Sequence, residues 1–89
     1  MAKVLISLKI FPSGIDVDLD RLKKEIEEGL PSFASIYKFE EEPIAFGLVA
    51  IIAHILLPED RAGGTDEVEE ALKRIDGISN LQALTIRRV

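Results

Sequence analysis

The stretch from Gly47 to Leu57, GLVAIIAHILL, is apolar at odd and even positions alike and stops at Pro58. A strand with one wet face would alternate between apolar and polar residues, whereas this run reads as a central strand with a neighbour on each side. The wider apolar segment from Ile44 to Leu57 is shorter than the roughly 18 residues of a membrane helix and contains His54. The run therefore points to a sheet, and the remaining elements have to supply its partners.

Lys3 to Phe11 alternates, with Val4, Ile6, Leu8 and Ile10 on one side and Leu5, Ser7, Lys9 and Phe11 on the other, the period of a strand. It ends at the turn residues Pro12-Ser13-Gly14. Leu19, Leu22, Ile26 and Leu30 then recur at helical spacing, with Asp18 placed to cap the first turn and Gly29 to stop the last. Pro31 breaks the chain before Ser35 to Glu41, a second strand whose Lys38, Glu40 and Glu41 suit a sheet edge. After the loop PEDRAGGT, Val68, Ala71, Leu72 and Ile75 mark a second helix, capped by Thr65 or Asp66 and closed by Gly77 as its C′ residue. Leu81 to Val89 alternates again, Leu84 and Ile86 opposite Ala83 and Thr85, as the fourth strand.

The order βαββαβ with right-handed crossovers gives an α+β, ferredoxin-like sandwich: a four-stranded antiparallel sheet in the order 4-1-3-2 with two helices on one face. The two most apolar strands fall in the centre, where this topology needs them. At 89 residues the chain is expected to be a single domain, residues 1–89. In this topology the segment Pro43–Phe46 shares one end of the sheet with PSGIDVD, and Arg87-Arg88-Val89 lies at the other end, roughly 25 Å away at about 3.3 Å per strand residue.

Composition narrows the chemistry. The absence of cysteine excludes a disulfide scaffold, a thiolate metal site and a cysteine nucleophile. The opening MAKVLISLKIF lacks the charged region, long apolar core and cleavage site of a secretory leader, so the chain is read as mature and cytoplasmic. A formal charge of −5 disfavours nucleic acid or an anionic membrane as a direct partner. His54, the single histidine, has no evident acid, base or metal partner nearby in sequence and reads as structural. Glu40, Glu41 and Glu42 alternate in direction along an extended chain, so they cannot converge on one ion. Gly63-Gly64-Thr65 precedes a helix but lacks the lysine of a phosphate loop, and reads as a flexible loop with a cap. No catalytic residue, metal or cofactor is expected. If Ile51, Ala53, Ile55 and Leu57 face the helices, then Ala50, Ile52, His54 and Leu56 form an outward apolar patch, where a partner or weak self-association is expected.

Phe46 has two readings from the residues alone: it folds back over the third strand, or it is displayed as a binding anchor. Arg87 and Arg88 are either solubilising edge charges or contacts. Here a resemblance adds what periodicity does not. The start KVLISLKIFPSGIDVDLDRLKKEIEE, the segment EEPIAFGL and the close LQALTIRRV resemble the archaeal translation elongation factor 1-beta family over nearly the whole chain. The resemblance implies a guanine-nucleotide exchange factor for elongation factor 1-alpha, with no covalent chemistry of its own. It also implies that Phe46, with Pro43 and Ile44 around it, touches the GTPase, and that Arg88, with Arg87, approaches its magnesium and phosphate region. Eukaryotic relatives have glycine where Ala45 stands and a penultimate lysine where Arg88 stands. The alternative is a small-molecule-binding regulatory domain of the same fold that dimerises through its sheet face, although a glycine-rich ligand loop near the first strand is not evident.

Overall fold

The computed structural model describes residues 3–59 and 63–89. Met1 and Ala2, and Asp60 to Ala62 of the PEDRAGG loop, lie outside the described residues. Six elements follow one another: β1 (Lys3–Pro12), α1 (Leu19–Gly29), β2 (Ser35–Pro43), β3 (Val49–Pro58), α2 (Gly64–Lys73) and β4 (Ile78–Arg88). The strands form one antiparallel sheet in the order β2-β3-β1-β4, the 4-1-3-2 order expected from the sequence.

Register explains which side chains meet. Val4, Ile6, Leu8 and Ile10 of β1 stand opposite Leu57, Ile55, Ala53 and Ile51 of β3. Residues directly opposite in an antiparallel pair share a face, and this face takes both helices. Leu22 and Ile26 of α1 and Val68 and Leu72 of α2 complete a buried core with those strand residues. Both helical stripes are the ones their spacing marks, because residues three and four apart lie on one side of a helix. Asp18 caps α1 as expected, accepting from the amides of Asp20 (3.1 Å) and Arg21 (3.3 Å).

Helix α2 departs from its sequence reading at both ends. Its N-cap is Gly63, in the left-handed region at φ 74°, a residue with no side chain to offer the first turn. The Glu67 amide donates to the Gly63 carbonyl at 3.0 Å, so the first helical bond already begins there, and Thr65 and Asp66 fall inside the first turn. At the other end the amides of Arg74 and Ile75 close back on the carbonyls of Ala71 and Leu72, tightening the last turn, and the C-cap is Arg74. Gly77 is left-handed at φ 96° but serves the turn into β4, where its carbonyl accepts from the Ser13 amide at 2.8 Å.

Strand β4 begins three residues before its expected start and contains a bulge. Ser7 pairs with Thr85 but Leu8 with Ala83, so Leu84 has no partner of its own. The extra residue shifts the alternation. Ile86, Ala83 and Leu81 consequently stand opposite Ile6, Leu8 and Ile10 on the helix face, and the simple division of Leu84 and Ile86 from Ala83 and Thr85 does not apply. The β1–β4 pairing also skips Ser79, and a further irregularity in β2, at Tyr37, moves the pairing from Ile36–Ile55 to Lys38–His54.

Candidate functional site

The connection between β2 and β3 is a tight turn built by two backbone bonds. The Leu48 amide donates to the Ala45 carbonyl (3.0 Å) and the Ile44 amide to the Leu48 carbonyl (2.9 Å). Its two central residues both have positive φ, Phe46 at 56° and Gly47 at 80°, the signature of a type I′ hairpin turn. Gly47 adopts this region freely. Phe46 is the one non-glycine residue with positive φ among the described residues, and a bulky side chain there is strained. No packing rewards the strain, for Phe46 is 96% exposed. The reading in which it folds back over β3 is thereby overturned. Pro43 ends the edge strand opposite Val49, and Ile44 is 38% exposed beside it. Ile15, from the β1–α1 loop, is 71% exposed, and its Cγ2 lies 3.7 Å from where a Cβ on Gly47 would stand. Sequence reading missed Ile15 because an isolated isoleucine in a polar loop shows no period.

At the far end of the sheet Arg87 pairs with Leu5 and Arg88 with Val4. Consecutive strand residues point to opposite faces, so the two arginines diverge. The Arg88 guanidinium forms an ion pair with Glu59 while most of its own side chain stays exposed. Arg87 joins Lys3, Leu5, Tyr37, Leu56 and Val89 around an open hollow of about 340 Å³ on the helix-free face. The Val89 amide donates to the Lys3 carbonyl at 3.0 Å and ties down the last residue. Pro43, Ile44 and Phe46 thus come together at one end and Arg87 and Arg88 at the other, on a body whose long axis is 41 Å.

Between the ends, the helix-free face is not the apolar patch expected from the sequence. Ala50 is fully buried, Ile52, His54 and Leu56 are half-buried, and charged side chains lie across them. Lys9 pairs with Glu42 and sits 5.5 Å above the Phe11 ring. His54 has partners on both ring nitrogens: the Ser7 hydroxyl at 2.7 Å from Nδ1 and Glu40 at 2.5 Å from Nε2. These partners come from β1 and β2, 47 and 14 residues away, and only register brings them together. The hydrogen bond with His54, helped by the charge of Lys38, holds the Glu40 carboxyl below its ordinary pKa. The glutamate run divides as alternation requires, Glu40 toward His54, Glu41 toward Lys23 (2.6 Å) and Glu42 toward Lys9. Among the described residues no three histidine or acidic side chains are grouped to hold a metal ion, and no helix is long and apolar enough to cross a membrane.

Residues 5–89 match the family described as the EF-1 guanine nucleotide exchange domain. The chain is 44% identical to Elongation factor 1-beta of Methanothermobacter thermautotrophicus, with 100% of this chain and 99% of the relative covered. It is 43% identical to Elongation factor 1-beta of Saccharolobus solfataricus, with 100% and 98% covered. Among solved structures, the C-terminal domain of the MgtC protein from Mycobacterium tuberculosis superposes with a TM-score of 0.64 at 11% identity, covering 92% of this chain and 85% of that one. At that identity the likeness concerns the fold alone.

Proposed function

The chain belongs to the EF-1 guanine nucleotide exchange domain family, and from that premise we propose that it acts as one unit on elongation factor 1-alpha, loosening GDP so that GTP can enter. Phe46, flanked by Pro43 and Ile44, is the anchor on one part of the GTPase. Arg88, with Arg87, reaches toward the phosphates and magnesium of the bound nucleotide. The observation that carries this assignment is the display of Phe46: an aromatic ring held at positive φ and left in solvent does nothing for folding, and strain of this kind persists where binding uses it.

The chemistry required is electrostatic rather than covalent. In such GTPases Mg²⁺ bridges phosphate oxygens and neutralises their charge, and a guanidinium brought close competes with it for the same oxygens. Linkage fixes the sign: a factor that weakens GDP binding is itself weakened by GDP to the same extent, so it binds the empty GTPase best. Accelerating release about a thousandfold needs about 4 kcal/mol of such differential interaction. The Ser7–His54–Glu40 chain resembles a catalytic relay only in its residue types. Ser7 is 6% exposed and stands in mid-sheet opposite His54 of β3 and Thr85 of β4, which leaves its hydroxyl closed to a substrate. The site of action is the cytoplasm, where elongation takes place.

The test is release of a fluorescent GDP from elongation factor 1-alpha with this protein in catalytic amounts. Fast release is expected, reduced at least about tenfold by Phe46→Ala or by deleting Arg87 to Val89, with the circular dichroism spectrum unchanged. Failure to form a complex with the nucleotide-stripped GTPase would refute the proposal. The competing regulatory-domain reading instead requires a small-molecule-dependent rise in melting temperature and no effect on release.

A further inference from the structure

The turn that displays Phe46 does not stand alone at its end of the sheet. The β1–α1 loop brings Ile15 against Gly47, and the two loops enclose a small hollow of about 80 Å³ lined by Pro12, Gly14, Val17, Leu19 and Val49 together with those two residues. Among the described residues Ile15 and Phe46 are the two most exposed large hydrophobic side chains, and both sit at this end. Although Ile15 lines the hollow, it remains 71% exposed. Val17 also lines a neighbouring depression that carries Asp16, Asp18, Glu25 and Asp76 against the single cation Arg21. Arg21 is itself paired with Glu25 at 3.0 Å. Lys9 of β1 and Lys23 of α1 are engaged by Glu42 and Glu41. This end is therefore apolar at its tip and acidic along one flank.

We propose that Ile15 and Phe46 form one two-loop apolar anchor, with Ile15 a partner-contacting residue, and that the anchor seats in an apolar slot of the GTPase bordered by basic side chains. The inference rests on the exchange reading above and adds to it a residue and the chemistry of the receiving surface. Two apolar side chains from separate loops fix the orientation of the docked module, which one aromatic ring on a single turn does not. The acidic flank steers the encounter toward a positive surface, because charges at an interface rim act mainly on the association rate.

The experiment measures binding of the full chain to nucleotide-free elongation factor 1-alpha, and stimulated GDP release, for wild type and for Ile15→Ala, Ile15→Leu, Ile15→Asp, Phe46→Ala, Asp16→Asn and the Ile15→Ala/Phe46→Ala pair. Ile15→Ala is expected to weaken binding about tenfold, and Ile15→Asp more, with unchanged melting temperatures because the side chain is exposed. Ile15→Leu keeps affinity within about threefold of wild type. The paired variant loses less than the product of the single losses, since neighbouring side chains in one slot couple. Asp16→Asn slows association and flattens its salt dependence. If Phe46→Ala weakens binding and Ile15→Asp does not, this inference is overturned while the exchange reading stands. If wild type fails to bind the empty GTPase, both fall. If Ile15→Asp acts by dissolving a self-associated form seen in sedimentation, with partner binding intact, the anchor belongs to a second copy and the inference is likewise wrong.

Discussion

Phe46 carries a backbone angle that works against stability and leaves its ring in solvent. A side chain other than glycine in the left-handed region costs about 1–2 kcal/mol, and here no buried contact offsets it. Phe46→Gly is therefore expected to raise stability by about 1 kcal/mol in chemical denaturation while abolishing stimulated GDP release; a loss of stability would show that the ring is packed after all. Glu40 gives a second test at this scale. Its pKa is depressed, first by the hydrogen bond with His54. A depressed carboxyl contributes stability that is present above its unfolded value, near 4.5, and is lost as pH falls through the lower folded value. The melting temperature of wild type should thus fall more steeply than that of Glu40→Gln as pH drops below about 4.5. Parallel curves would mean that the His54 bond does not form in solution.

Among the elements, the helices are held by features local in sequence and the sheet by features that are not. Asp18 satisfies two amides of the first turn of α1, so Asp18→Ala should lower unfolding free energy by about 1 kcal/mol, measurable by urea titration with an unchanged slope. The N-cap of α2, Gly63, has no side chain to mutate away. Its start at Gly63 depends on a left-handed glycine rather than on Thr65 or Asp66, a distinction that composition does not show because glycine, threonine and aspartate are all accepted there. The β4 bulge is equally silent in sequence. Alternation continues through LQALTIRRV on paper, and only pairing with β1 reveals that Leu84 is the unmatched residue.

For the whole molecule the deciding quantity is length. Phe46 and the two arginines sit at opposite ends of a 41 Å body, so a partner that meets both has to span it. Residues that far apart with no shared neighbour contribute independently. Phe46→Ala and Arg88→Ala should therefore have additive effects on the activation free energy of GDP release, to within about 0.5 kcal/mol. This contrasts with the coupling expected between Ile15 and Phe46. Strong coupling between the two ends would instead indicate that they act on one site of the GTPase.

What the sequence determined by itself is the architecture. Element types, strand order and the core follow from periods of two and 3.6 and from the two-sided apolarity of β3, because burying those faces leaves few ways to connect six elements. The candidate residues at the ends, Phe46 and Arg88, were legible through the resemblance of whole segments and not through any local pattern. The tertiary structure alone decided the rest: that Phe46 is displayed, that Ile15 lies beside it, that Leu84 is the bulged residue of β4, and that His54 is bridged to Ser7 and Glu40. Each of these depends on a φ angle, a bulge or a cross-strand register. Such quantities are set by distant parts of the chain packing together, so no window of neighbouring residues contains them.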